Sequence, residues 1–488
     1  MADMGYAVHS ADDRRHLLEA VGASEVSEFF APIPQSLRQA SLRLLPGLSE
    51  PDTRALMETL AGANSPPSAL SFLGGGCYRH YVPSAVRALA SRSEFATADT
   101  PYQPEVSQGT LQHVFEFQTC MCEITGLEVA NASLYDGPSA LAEAAFMALR
   151  LTQREGILMS TGVNPEAAQV VETYAAGPGL SVQRLPLDPR SGLTPSPSDH
   201  LRPSVGGVLV QQPNCLGVVE DLQPLVEAAH STGALLVASV NPGVLGVLEA
   251  PGRLGVDIVV GDAQVFGNAP SFGGPSVGFL ACRAHHLRQL PGRLVGQTTD
   301  LDGRVCYTLT LQGREQHIRR AKATSNICSN QALSALAATV HLALLGPQGL
   351  RERGELCLQR AHYLHGALCA LPGVDPFLTG PFFSEFALTL PCAAQDFVAA
   401  MRARGVDPGV PLARLQRGAD AVFPTEVTPT DPSTGGLAFA APDAPAPADR
   451  VLLVAVTEVN TPEALERYLA AAGDALEALA SAPTGRAR

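Results

Sequence analysis

The sequence predicts an α/β protein with three parts: an N-terminal helical arm, a large domain built on a mainly parallel sheet, and a small C-terminal α+β domain. Three observations carry this. Between about residues 70 and 345, apolar runs of strand length alternate with helix-like stretches such as LQPLVEAAHSTG; the runs are GILMS at 156, GGVLVQ at 206, GALLVASV at 233 and DIVVG at 257. Strands alternating with helices argue for a parallel sheet covered on both faces. Later, PFFSEFALTL, AAQDFVAAMRARG, RVLLVAVTE and TPEALERYLAAAGDALEAL read as strand, helix, strand, helix. Ahead of both, the first 65 residues look helical and end in the breaker-rich GANSPPSAL. The expected division is 1–65, 66–345 and 346–488.

Individual elements follow from local chemistry. The last helix is signalled by Thr461 as N-cap and Pro462 at the first helical position. The Gly and Pro of LLGPQG should break a long helical stretch that begins after Asn330. Residues 423–450 are too rich in Pro, Ala and Asp to pack and read as an exposed loop.

Composition narrows the function classes. At 488 residues, 46% hydrophobic and 16% charged, with mean hydropathy +0.11, the chain has material for a large core. A formal charge of -14 and a pI near 5.3 disfavour nucleic acid or an anionic membrane as partner, since both need clustered basic residues. The N-terminus lacks the pattern of a signal peptide, and the apolar stretches are broken before the roughly 18 residues that a membrane span needs. Ten cysteines occur without a Cys-x-x-Cys pair, so a reduced, cytoplasmic chain with mostly buried thiols is expected. Lys322 is the single lysine, and any lysine-dependent mechanism rests on it.

The stretch DIVVGDAQVFGNAPSFGGPSVGFL runs from strand through polar turn to glycine-rich loop, as in many cofactor sites. Its turn offers Asp262, Gln264 and Asn268 but no lysine, histidine or cysteine. The layout is that of fold-type I pyridoxal phosphate (PLP) enzymes. Their chemistry needs a helix N-terminus for the phosphate, a strand-end carboxylate for the pyridine nitrogen and a Schiff-base lysine. Asp136, Gly137, Pro138 and Ser139 open a helix that suits either phosphate binding or ordinary capping, although the Asp136 carboxylate would repel phosphate. The strand GALLVASV ends at Asn241, whose amide cannot hold a pyridinium charge, and no lysine lies near Gln264 or Val265. Asp136, Gly137, Asn241, Gln264 and Val265 therefore mark a degenerate cofactor site, with no metal expected.

Lys322 follows Asn241 by about eighty residues, in a basic stretch with Arg314, Arg319 and Arg320. That stretch reads as a solvated face or as a docking surface for an acidic partner, and a Schiff-base role for Lys322 is the rival reading. Residues 72–126 combine glycine-rich turns with Tyr102, Gln103, Glu105, Ser107 and Gln108, which are available for hydrogen bonding. Cys77 and Cys120 lack a nearby histidine in a recognisable arrangement, so buried thiols are expected rather than nucleophiles.

At TPYQPEVSQGTLQ, NASLYDG, VVEDL, SFGGPSVGFLA, LPGRLVGQTTD, LTLQGREQHIRRAKATSNICSNQ and LLGPQGL the chain resembles the glycine decarboxylase (P-protein) family, in its α-subunit, or subunit 1, branch. The resemblance implies an α chain without PLP, inactive alone, that pairs with a PLP-carrying β subunit as α2β2. The complex would decarboxylate glycine and pass the aminomethyl group to the lipoyl arm of H-protein. By the same resemblance, the family's catalytic half has its lysine near Val265, and Thr100, Tyr102, Gln103, Glu105, Ser107 and Gln108 lie near the shared site. Four places depart from the family pattern: Asp99 stands for Tyr, Asn164 for the His of a His-Pro pair, Asn241 for Asp, and the 423–450 loop is longer. A non-catalytic regulatory paralogue is the remaining alternative.

Overall fold

The structure is a computed structural model and describes residues 9–38, 44–64, 70–97, 100–415 and 448–481. The chain divides into two compact units, Met1–Pro67 and Ser68–Arg488. In the first, helices Ala11–Val21 and Glu50–Gly62 are each capped by a serine. Ser10 accepts from the Asp13 amide at 3.1 Å while Asp13 accepts from the Ser10 amide at 2.8 Å, and Ser49 accepts from the Asp52 amide at 3.3 Å. None of the described residues of this unit is buried.

The second unit is organised by a seven-stranded sheet of Val129–Ala130 (β1), Gly156–Ser160 (β2), Ser181–Leu185 (β3), Val205–Gln212 (β4), Leu235–Val240 (β5), Ile258–Asp262 (β6) and Gly278–Cys282 (β7). Its order is β1-β7-β6-β5-β4-β2-β3. Strands β2 to β6 pair in parallel, and β7 joins both β6 and β1 antiparallel. Because side chains alternate along a strand, each central strand feeds two cores. Leu158, Val208, Val210, Leu236 and Ala238 pack on one face with Phe117 and Met121 of helix Gln108–Thr125. Ile157, Met159, Leu209 and Val237 pack on the other with helices Gly137–Thr152 and Pro165–Ala176.

A second sheet, of Asp375–Pro376 (β8), Glu385–Thr389 (β9), Val410–Pro411 (β10) and Val451–Ala455 (β11), is antiparallel in the order β8-β9-β11-β10. Helices Ala394–Arg402 and Pro462–Ser481 share its core, where Tyr468 is fully buried and donates to the Pro408 carbonyl at 2.9 Å. Thr461 caps the last helix as expected, accepting from the Ala464 amide at 3.3 Å.

The helical segment Ala332–Cys369 is broken at Gly346, whose φ of 60° and ψ of -177° precede Pro347, as LLGPQG implied. By length and composition this segment could cross a membrane, but half of its apolar window is buried in the fold. The cysteine expectation needs correction. Only Cys215, Cys282 and Cys357 are buried; five thiols are partly covered, and Cys77 and Cys328 are exposed. Of the expected 423–450 loop, only the turn Ala448–Arg450 falls within the described residues.

Candidate cofactor cleft

The carboxyl ends of β4, β5 and β6 open into a cavity of about 360 Å³, where α/β sheets bind their ligands. Two helix N-termini, those of Gly137–Thr152 and Pro165–Ala176, face it, and the glycine-rich loop after β6 forms one wall.

Both of the first helix's reachable amides are already occupied by carboxylates. Asp136 caps the helix, accepting from the Ser139 amide at 2.7 Å. Asp262, at the end of β6, accepts from the Gly137 amide at 3.1 Å, from Gln264 N at 2.9 Å, from Val277 N at 3.3 Å and from the Ser276 hydroxyl. A Cβ on residue 137 would stand 3.1 Å from Asp262 Cβ, so this approach depends on glycine. Two carboxylates at this helix start satisfy its donors and would repel a phosphate dianion.

The other residues expected of a cofactor site are likewise committed to local contacts. Asn241 spends its side-chain oxygen on the Gly243 amide at 2.9 Å, capping the turn Pro242–Gly246. Val265 is 5% exposed, and its carbonyl accepts from Arg353 Nη1 at 3.0 Å. Gln264 donates to the Asn268 carbonyl at 2.5 Å and so shapes the turn. With the amides at its helix start occupied, an amide rather than a carboxylate at Asn241 and no lysine, this chain's cleft does not fit PLP.

Glu385 and Tyr78, which line the cleft, went unnoticed in the sequence. Glu385 on β9 accepts from the Gly75 amide at 2.7 Å and from the Tyr78 hydroxyl at 2.8 Å, and burial pushes its carboxyl up. Asn164 caps the second helix through the Glu166 amide at 2.9 Å and donates to the Gly75 carbonyl at 3.0 Å. The signal for Glu385 was an acid inside the apolar run EFALTL, yet its partners lie some 310 residues earlier in the chain. Cys77 lines the cleft, where partial burial and the charge of Asp262 push its thiol up, against a thiolate nucleophile.

The segment from Thr100 to Gln108 does not line this cavity. It is clasped to the strand Val305–Leu309 by Gln108, which donates to the carbonyls of Pro104 and Tyr307 at 2.7 and 2.9 Å and accepts from the Tyr307 amide at 2.9 Å. Tyr102 is exposed, with the Arg293 guanidinium 5.7 Å above its ring and His317 at its edge. Gln103 and Glu105 are exposed, and Ser107 precedes the helix that starts at Gln108. Asp99 lies outside the described residues.

The basic stretch separates into two kinds of residue. Arg314 turns inward, donating to the carbonyls of Leu311 and Gly292 at 3.1 Å each, and burial lowers its pKa. Arg319 donates to the Gly313 carbonyl at 2.9 Å but stays exposed, as do Arg320 and Lys322. Lys322 does not line the cleft. Cys120 is half-buried and its thiol is pushed up by that burial.

The glycine cleavage system P-protein family matches residues 4–416. A protein of Geotalea uraniireducens (strain Rf4) named "Probable glycine dehydrogenase (decarboxylating) subunit 1" is 46% identical over 427 residues, covering 87% of this chain and 96% of that protein. The inhibitor-bound crystal structure of a glycine decarboxylase (P-protein) of the glycine cleavage system superposes with a TM-score of 0.84 at 44% identity, covering 97% of this chain and 100% of the other. Glutamate decarboxylase of Lactobacillus brevis, at 15% identity and a TM-score of 0.63, shares the fold alone. The α/β layout is thus that of fold-type I enzymes, and the chain belongs to the glycine cleavage system P-protein family.

Proposed function

We propose that this chain is subunit 1 of a glycine dehydrogenase (decarboxylating), and that it completes, rather than contains, the PLP site. The partner is a homologous β subunit carrying PLP and its lysine, in an α2β2 assembly in the cytoplasm. The complex decarboxylates glycine and transfers the aminomethyl group to the lipoyl arm of H-protein. One observation supports the division of labour: Asp136 and Asp262 occupy the helix amides of a cleft that is also lined by Val265 and Asn241, where the resemblance expects the lysine and the carboxylate. The exposure of Tyr102, Gln103 and Glu105, on a segment anchored by Gln108, supports a role for them at the interface with the partner.

Co-expression with the β subunit tests this reading. Glycine–bicarbonate exchange should appear only when both chains are present, and a pair that assembles without exchange would favour a regulatory paralogue. PLP added to this chain alone should give no stable aldimine absorbance; a band abolished by Lys322→Ala would support the stand-alone enzyme instead. Alanine at Arg319, Arg320 and Lys322 should raise the apparent KM for H-protein if that surface docks it.

A further inference from the structure

Away from the cleft, His80, Cys357 and Glu458 meet inside the second unit from three distant parts of the chain. His80 and Glu458 side chains are 9% and 12% exposed, and Cys357 is 2% exposed. His80 Nδ1 lies 2.8 Å from Glu458 Oε2, and Cys357 Sγ lies 3.5 Å from the same oxygen. One donor atom from each residue falls within 4.8 Å of the other two. Among the described residues His80 Nε2 has no hydrogen-bond partner, so the ring is held from the Glu458 side alone.

We propose that these three side chains form a binding site for a zinc-class divalent metal ion. Imidazole nitrogen, thiolate sulfur and carboxylate oxygen are zinc's protein ligands, and a tetrahedral ion with bonds of about 2.0–2.3 Å sets its ligand atoms roughly 3.3–3.6 Å apart. The 3.5 Å between Cys357 Sγ and Glu458 Oε2 already has that spacing; the 2.8 Å His80–Glu458 contact must open by about half an ångström, and the His80 nitrogen and Cys357 Sγ, within 4.8 Å of each other, must settle at the same separation, with water as fourth ligand. The ligands are braced from outside. The Tyr81 amide donates to Glu458 Oε1 at 2.8 Å, and Arg360 donates to the carbonyls of Glu458 and Asn460. Binding displaces the Cys357 proton to solvent, and the resulting thiolate and the Glu458 carboxylate together balance the ion's two charges. The charge of Arg353 is felt by all three side chains, but its hydrogen bond goes to the Val265 carbonyl and its guanidinium lies 4.8 Å over the Phe266 ring. The site ties the glycine-rich segment, the second half of the broken helix and the end of β11 to one another, independently of the proposed catalytic role.

The test is titration of the chelator-stripped full chain with Co2+, a spectroscopic substitute for Zn2+. The expected result is a thiolate-to-cobalt charge-transfer band with the intense d–d absorption of four-coordinate Co2+, saturating at one equivalent and reversed by Zn2+. Cys357→Ser should remove the charge-transfer band, and His80→Gln should weaken binding on the order of a hundredfold. Cys77→Ser with Cys328→Ser, which removes both exposed thiols, should leave the band unchanged. Absence of a thiolate band in the wild-type chain, which needs no variant to fold, overturns the site, as does a band that survives Cys357→Ser.

Discussion

Asp262 Oδ2 lies 3.1 Å from the Gly137 amide, so a carboxylate fixed at the end of one strand occupies the start of a helix 125 residues earlier in the chain. Asp136 takes the Ser139 amide of the same turn. The turn that could cradle an anion is thereby converted into a doubly capped helix start, favourable for the helix dipole and closed to phosphate.

Loss of the first of these caps should be measurable. Asp136→Ala is expected to destabilise the chain by about 1 kcal/mol, and Asp136→Ser by less, because serine can still accept from the Ser139 amide. Urea unfolding of the three proteins reads the difference; equal midpoints would contradict the capping role.

Arg353 should cost more to remove. It is 5% exposed, donates to the Val265 carbonyl at 3.0 Å and lies over the Phe266 ring. Arg353→Met leaves the buried Val265 carbonyl without that donor and should cost about 1–3 kcal/mol. Exposed Arg319→Ala should stay within about 0.5 kcal/mol. The comparison is made by chemical unfolding under identical conditions.

Glu385 provides a pH dependence of definite sign. Burial raises its carboxyl above the ordinary value of 4.5, so between the unfolded and folded values the native state binds the proton more tightly. Its contribution is fully present below pH 4.5 and is lost as pH rises through the raised native value. Glu385→Gln should therefore gain stability relative to wild type as pH increases. Parallel pH–stability curves for the two proteins would remove Glu385 as the cause.

Glu105 and Tyr102 separate assembly from folding. Both are exposed in this chain, so Glu105→Ala and Tyr102→Ala should leave its thermal unfolding nearly unchanged. In the reconstituted complex each should lower exchange activity by at least about tenfold, through misplacement of groups at the shared site. Full activity in both variants would show that this segment does not serve the partner.

Much of the fold was legible because its signals are local. The strand runs GILMS and DIVVG are continuously apolar at 157–159 and 258–260, as a sheet covered on both faces requires, and these residues form the bodies of β2 and β6. Gly346–Pro347 and Thr461–Pro462 announce a helix break and a helix start through backbone chemistry that needs no distant partner. The antiparallel entry of β7 was not legible, since GFLAC has the same apolar pattern whichever way the strand runs. The exposure of Cys77 was missed for a related reason: a cysteine's burial is set by neighbours that a single stretch of chain does not contain.

The sequence by itself determined what this cleft lacks. A valine, an asparagine and a single lysine in another segment are identities, and identities alone exclude a Schiff base and a pyridinium partner at those positions. Only the tertiary structure decided what stands there instead. Asp262 on the Gly137 amide, Glu385 beneath Gly75 and the meeting of His80, Cys357 and Glu458 join residues 101 to 378 positions apart. Such contacts arise from sheet order and from the packing of the small sheet's elements, which no local pattern of residues specifies.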